Sequence, residues 1–371
     1  MTFNNFDHAN PSLPITLNPQ HRPTCDAELT IGDLGELALI ERLEPFCADG
    51  AIGDDAALMR LKAHHRLIVT TDMLSENVHF SGNTTPPYAV GWRAAASNLA
   101  DIAAMGAMPI GITVGLGLPG STRWSWVEAL YRGLKDCLKA YGGAIFGGDL
   151  CRAIQPNISI TALGQVPAAQ MIRRSSAKPG MTVVVTGHHG ASRAGLALLL
   201  EELDPISESR DPNDPVSQAQ EWIKAHQMPR PRFDALVSLR EVIAQIGYDT
   251  YPTIAGMDSS DGLASALLQI SGASKIGMDI VRSQIPLPPG LSAAVGQETA
   301  FEWALHGGED FELVLCLPPV LAEAFTQTPF AMAIGTTTDT GIVRLVPTAE
   351  HTSGDEITYE GFQHFQRFLC G

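Results

Sequence analysis

The chain has 371 residues, 45% of them hydrophobic, which excludes wholesale disorder and is enough for two domains at about 100–200 residues each. Its formal net charge is −16, from 24 Lys plus Arg against 40 Asp plus Glu. That balance disfavours nucleic-acid backbones and anionic membranes as partners, and it suits an enzyme that recruits divalent cations to meet an anionic substrate.

Residues 1–29 read as an irregular tail without periodicity. Gly35–Phe46 is the first firm helix, with Leu37, Leu39, Ile40 and Leu43 on its apolar side and Pro45 at its end. Gly53-Asp54-Asp55 follows, either a surface turn or a ligand loop. Leu67–Thr71 reads as a strand that delivers Asp72 and then a polar turn to His79. A carboxylate flanked by the hydroxyls of Thr70 and Thr71 at the end of an apolar strand is costly to bury unless a cation or several donors answer it.

Pro86-Pro87 introduces a helix over Tyr88–Met105, whose small residues predict close packing. Asn98 and Asp101 stand three apart on it, as a solvated stripe or as part of a site. Ile110–Leu118 is a Gly-rich strand, and Trp124–Tyr141 a helix with a clear 3.6 period, ended by Gly142-Gly143. Ala144–Asp149 predicts a strand running into a glycine turn, Gly147-Gly148-Asp149, where backbone N–H groups could approach a phosphate. After the strand Ile158–Val166 a boundary is expected near Pro167–Gln170, dividing domains over 30–167 and 168–371.

Beyond it come a polar turn, Arg173–Gly180, in which Arg174 could grip a phosphate, and a strand, Thr182–Thr186. His188-His189 reads as a polar turn and Asp204–Gln218 as a surface excursion. Pro229-Arg230-Pro231-Arg232-Phe233 begins a helix reaching about Ile246. A short apolar strand then delivers Asp258-Ser259-Ser260-Asp261-Gly262 to a helix, Leu263–Ile270. Helix capping accounts for one of those polar groups and not for four. Helix Glu298–Leu305 leads through Gly307-Gly308-Glu309-Asp310 into a strand, Phe311–Leu317, and the C-terminal part carries Tyr359, Phe362, Phe365 and Phe368. Strands alternating with helices predict α/β or α+β domains.

Six cysteines (Cys25, Cys47, Cys137, Cys151, Cys316 and Cys370) form no C-x-x-C pair and no zinc-spaced cluster, as expected for reduced thiols. Met1–Asn10 is polar, unlike a signal peptide. The most apolar stretch, Ile102–Leu118, is too short and too broken by glycine to cross a bilayer. A soluble, cytoplasmic protein is the expectation.

The acids delivered at element ends are Asp55, Asp72, Asp101, Asp149, Asp258 and Asp261. If they converge, cations must join them, and carboxylate and hydroxyl oxygens suit Mg²⁺, Mn²⁺ or Ca²⁺ rather than zinc. Mg²⁺ bridges substrate phosphates, which points to a nucleotide. No Walker loop, protein-kinase signature set or Rossmann fingerprint is present, so the phosphate site would be metal-based and assembled from several strand ends.

GDDAAL at Gly53, TTDMLSENVHF at Thr70, NLADIAAMGA at Asn98, GGD at Gly147, RSSAKPG at Arg174, DSSDGL at Asp258 and GGEDFEL at Gly307 together resemble the thiamine-monophosphate kinases. The resemblance implies transfer of the γ-phosphoryl group of ATP to thiamine monophosphate. It also implies an aminoimidazole ribonucleotide synthetase-like fold of two α/β (α+β) domains, with ATP between them. The mixed sheet of the N-terminal domain would pair in a homodimer barrel. Carried over by position, the metal ligands would be Asp55, Thr70, Thr71, Asp72, Asp101, Asp149, Asp258 and Asp261. ATP would meet Tyr131, Gly148, Asp149, Arg174 and Ser260, and the thiamine phosphate His79, Glu309 and Phe362. An acid at 309 suits a cationic ring, and Phe362 could stack on one.

The tail before Thr30 is longer than is usual in the family, Leu37 stands where Phe is common, and Met257 precedes Asp258; none of these removes a proposed ligand. Three other readings stay open: a related ATP-using enzyme with another acceptor, a non-catalytic binder of the same ligands, and an acidic Ca²⁺-binding structural protein.

Overall fold

The computed structural model describes residues 29–51, 56–203, 215–346 and 354–358. Its first half runs α1 (Ile31–Leu34), α2 (Glu36–Leu43), β1 (His65–Ser75), α3 (Pro87–Ala104), β2 (Met108–Leu118), α4 (Trp124–Tyr141), β3 (Ile145–Arg152) and β4 (Asn157–Pro167). The four strands form a mixed sheet in the order β1-β4-β2-β3, antiparallel except for β2 against β3. Along β4 burial alternates residue by residue, so one face of the sheet is covered and the other is open. The open side of β1 exposes Leu67, Val69 and Met73.

α3 packs on the covered face and is buried on nearly every side, which an all-round apolar helix requires. Its small residues let α4 come very close. A Cβ on Gly91 would stand 1.9 Å from the Leu130 carbonyl oxygen, and one on Gly133 1.9 Å from that of Tyr88. In α2, Leu39 and Leu43 are buried whereas Leu37 points to solvent.

Gly147-Gly148-Asp149 does not form the expected turn; all three residues lie inside β3. At Gly148 a Cβ would stand 1.9 Å from the Val114 carbonyl oxygen, beside a register shift between β2 and β3. The glycine there serves close strand packing.

The second half runs β5 (Thr182–Thr186), α5 (Ala191–Leu199), α6 (Pro215–Gln227), α7 (Phe233–Ile246), β6 (Ala255–Asp258), α8 (Leu263–Ser274), β7 (Gly277–Ile280), α9 (Leu291–Val295), α10 (Gln297–His306), β8 (Leu313–Leu317), α11 (Pro319–Phe325), β9 (Ala331–Thr338) and β10 (Val343–Leu345). Its six strands order as β10-β7-β9-β5-β8-β6, with β10 and β7 parallel and every other pair antiparallel. Strands β5, β6 and β8 are almost wholly buried, matching their unbroken apolar runs.

α7 starts at Phe233; Pro229 to Arg232 precede it without helical structure, because the two prolines have no N–H to give. The end of the Asp204–Gln218 stretch opens α6, and residues 204–214 lie outside the described residues. One apolar core joins the first sheet to α7, β8 and α11, so the two halves are packed together. No helix among the described residues is long and apolar enough to cross a membrane.

Candidate active site

β1 carries Thr70, Thr71 and Asp72 to the joint between the halves, and α3 carries Arg93, Asn98 and Asp101 to the same place. Asn98 is fully buried; its Nδ2 donates to the Ala94 carbonyl at 2.9 Å and its Oδ1 accepts the Asp72 N–H at 3.0 Å. Thr70 Oγ1 donates to Asp101 Oδ2 at 2.5 Å. This side of α3 is therefore an internal polar seam and not a solvated stripe.

From the second sheet β6 brings Asp258, 2% exposed, whose Oδ1 accepts from Ser260 Oγ at 3.2 Å. Its Oδ2 is buried, with no hydrogen-bond partner among the described residues. The residue capping α8 is Gly262, without a side-chain cap bond, so Ser259, Ser260 and Asp261 do not serve as helix caps. Ser259 Oγ instead accepts the Glu312 N–H at 3.1 Å.

These elements enclose a cavity of about 980 Å³. One cluster on its wall is Thr71, Asp72, Asp101, Arg174, Asp258, Ser260 and Asp261. Burial, then the charges of Asp101 and Asp261, pushes the Asp72 carboxyl up to about 6. Burial and Asp101 push Asp258 up to about 8, and Asp101 is raised as well, chiefly by burial. Arg174 is a cation on this wall, and its Nη1 donates to Gln269 Oε1 at 2.7 Å.

Among the described residues, no group of three or more His, Cys, Asp or Glu side chains is set to hold a metal unaided. The donors here are nonetheless all oxygen, and one buried carboxylate oxygen is unmatched. That fits a hard divalent cation whose coordination is completed by phosphate oxygens and water.

A second cluster gathers around Glu309. The loop that carries it is unusual: Glu309 and Phe311 sit at φ 59° and 54° without being glycines, which costs of order 1–2 kcal/mol each. The loop is held by the Glu309 N–H donating to the Ser260 carbonyl at 2.6 Å. It is held again by Asp310, whose carboxylate accepts N–H groups of Gly190 and Ser192 (2.6 and 2.9 Å) at the start of α5. Burial still raises Asp310 to about 7.

Glu309 Oε1 is ion-paired with Arg93 Nη2, and Arg93 is 2% exposed. Burial alone would raise the Glu309 carboxyl, but the Arg93 guanidinium bonded to it holds it below the usual carboxylate range. Burial and Arg93 keep the His226 imidazole neutral, down to about 4. His79 lines the cavity, and its Nδ1 accepts the Ser75 N–H at 3.1 Å, which leaves the ring proton of the neutral imidazole on Nε2. Nearby, the Arg193 guanidinium lies 4.7 Å from the Trp303 ring centre, and both line the cavity.

Of the sequence-derived site residues, Thr71, Asp72, His79, Asp101, Arg174, Asp258, Ser260, Asp261 and Glu309 line one cavity, and Thr70 is bonded to Asp101. Gly148 and Asp149 are exposed on edge strand β3, away from it. Tyr131 is buried in the first core, edge-on to Phe46 at 5.7 Å. Asp55 and Phe362 lie outside the described residues. The sequence reading did not single out Arg93, Arg193, His226 or Trp303. A lone arginine within the small apolar residues of α3 was the available signal for Arg93. Cys47, Cys137, Cys151 and Cys316 are free thiols.

The family model for AIR synthase related protein, N-terminal domain, matches residues 53–166. The thiamine-monophosphate kinase of Synechococcus elongatus is 44% identical over 343 residues, covering 91% of this chain and 99% of its own length. This chain belongs to the thiamine-monophosphate kinase family. The match extends through both sheets. Two solved family structures share the architecture. The thiamine-monophosphate kinase of Stenotrophomonas maltophilia is similar at TM-score 0.70 and 28% identity, over 85% of this chain and 96% of that one. AaThiL complexed with AMPPCP and TMP is similar at TM-score 0.66 and 29% identity, over 88% and 98%.

Proposed function

We infer that the protein transfers the γ-phosphoryl group of ATP to thiamine monophosphate, giving thiamine diphosphate and ADP. The observation that carries this reading is the chemical division of one cavity wall. Unmatched carboxylates and hydroxyls gather in one cluster, and an ionised glutamate with an aromatic neighbour stands in the other. The similarity to AaThiL, solved with AMPPCP and TMP, supports the same pair of ligands here.

Mg²⁺ would be held by Asp72, Asp101, Asp258 and Asp261 with Thr70 and Thr71, and when bound it neutralises the facing phosphates. Arg174 and Ser260 bind the ATP side, while His79 and Glu309 hold the acceptor. A phosphate monoester is already ionised near neutral pH, so no protein base is required. The acceptor phosphate oxygen attacks the γ-phosphorus in line, and the bond from that phosphorus to the β-phosphate oxygen breaks, leaving ADP. The chain's part is positioning and the exclusion of water. Phe362 and Asp55 are further candidates for the acceptor and the metal.

The division into domains 30–167 and 168–371 follows the two sheets in this reading. A homodimer would cover the open apolar face of β1. In a closed two-copy barrel, edge strand β3 of one sheet would meet edge strand β1 of the other. That arrangement carries Gly148 and Asp149 toward the partner's Thr70–Asp72 segment and gives both residues a role they lack within one chain. Tyr131 would then act from beneath the same sheet. A reduced, cytoplasmic setting agrees with the free thiols.

The test is an assay with ATP, Mg²⁺ and thiamine monophosphate, resolving products by chromatography, with Asp72→Asn in parallel. Equal amounts of thiamine diphosphate and ADP, lost in the variant, establish the reaction. ADP without thiamine diphosphate moves the search to another acceptor.

A further inference from the structure

Arg93 is among the largest fully buried side chains of the molecule, and burying a guanidinium is costly unless it is matched. It rises from α3, on the first sheet, and its partners all belong to the second half. Nη2 meets Glu309 Oε1, and Nη1 donates to the His226 carbonyl at 2.5 Å, with His226 Nδ1 at 3.3 Å. His226 Nδ1 in turn lies 3.1 Å from Ser192 Oγ and 3.7 Å from Glu309 Oε2.

The segment just after His226 is pinned to the first half twice. Gln227 Nε2 donates to the Thr84 carbonyl at 2.5 Å, and Trp92 Nε1 to the Pro229 carbonyl at 2.9 Å. Arg93 is therefore fixed before any ligand arrives. Glu309 is the opposite case: its backbone is in the left-handed region and its side chain is 34% exposed, toward the cavity.

A cationic acceptor ring calls for an unpaired carboxylate, and the structure pairs Glu309. The pairing uses one oxygen. We propose that Arg93 is a positioning residue for the acceptor: it clamps Glu309 Oε1, and so presents Oε2 to an amino or cationic group of the substrate. Neutral His226 flanks Oε2 without neutralising it. Arg93 itself need not touch the substrate. The inference deepens the proposed activity and rests on it, since thiamine monophosphate carries both a ring cation and an aromatic amine.

The experiment is steady-state kinetics on the full chain for wild type, Arg93→Lys, Arg93→Met, Glu309→Gln and the Arg93→Met/Glu309→Gln double variant. Thiamine monophosphate and ATP are varied separately. The double variant removes both charges together; if Arg93→Met alone fails to fold, Arg93→Lys takes its place in the cycle, where a wild-type KM for thiamine monophosphate or losses that multiply with Glu309→Gln overturn the proposal. Each single neutralising variant is expected to raise the KM for thiamine monophosphate about tenfold, the scale of one charge-assisted hydrogen bond, with the KM for ATP within about twofold. Arg93→Lys is expected to recover part of the loss. The double variant is expected to be no worse than the poorer single variant, because both act through one contact.

Multiplicative losses in the double variant would overturn the proposal, as would an equal rise in the KM for ATP, or a wild-type KM in Arg93→Met. Wild-type protein that makes no thiamine diphosphate would overturn the activity on which it rests; a wild type that makes it, with additive variants, would overturn the role of Arg93 alone.

Discussion

The two acidic clusters of the cavity solve the same physical problem in opposite ways. Asp72, Asp101 and Asp258 are brought together without a protein cation sufficient to balance them, and all three carboxyls are raised. Glu309, a few residues of backbone away through its bond to Ser260, is matched by a buried arginine and is lowered. The first cluster stores an imbalance that an incoming cation would relieve; the second already has its partner within the protein. In the proposed reading, binding metal and phosphate at the first and recognising an organic acceptor at the second call for this difference.

The largest effect should come from breaking the first cluster. Asp72→Asn is expected to lower kcat by about 10²–10³-fold, the scale of losing one pre-organised electrostatic group, measured by product formation at saturating ATP and Mg²⁺. Stability should move the other way. Asp258→Asn removes a buried carboxyl that must take up a proton on folding at neutral pH, so the metal-free variant should melt above metal-free wild type, and added Mg²⁺ should no longer raise its melting temperature, as read by calorimetry.

The second cluster should respond with the reverse sign. Glu309→Gln leaves Arg93 buried and unpaired, and should destabilise the protein by about 3 kcal/mol in chemical denaturation, as breaking a buried pair does. Partial exposure of Glu309 to the cavity places the effect at the low end of the usual range for such pairs. A neutral or stabilising result would erase the contrast between the clusters.

A smaller effect concerns a group in neither cluster. His189 is fully buried, both ring nitrogens lack partners among the described residues, and burial, then His188 and Arg232, pushes it from 6.5 down to about 3. The unfolded chain therefore binds the proton that the folded chain refuses. Stability is whole above about pH 6.5 and is lost as pH falls toward 3, by roughly 1.4 kcal/mol per unit. Between pH 7 and 5 wild type should lose about 2 kcal/mol that His189→Leu does not.

The smallest expected effect is at Trp303. Trp303→Leu should raise the KM for thiamine monophosphate by about fivefold to tenfold, with Trp303→Phe milder, as loss of a ring-on-cation contact predicts.

Much of this was legible in the chain. Asp72, Asp101, Asp258 and Asp261 each follow or interrupt an apolar element, and a charge placed so has to be answered by something; position in the pattern was enough to mark them. Helix α4 and strand β5 were legible at their ends because their periodicity is local. Strands β7 and β9 were not, since Gly277–Ile280 and Ala331–Thr338 become strands by pairing with each other and with β5. The glycines at 147 and 148 read as a turn because sequence shows that a Cβ is missing, and not what stands in the space it would fill.

What the sequence by itself determined was which groups are candidates for the chemistry: acids and hydroxyls at strand ends, their order, and the family they resemble. What only the tertiary structure decided was their company. Asp258 is left with an unmatched oxygen and Glu309 is given Arg93, 216 residues away in sequence. Charge and hydrogen-bonding capacity belong to a residue type and can be read in one dimension. Desolvation and pairing depend on what packs alongside, and they exist only once the two sheets have closed on each other.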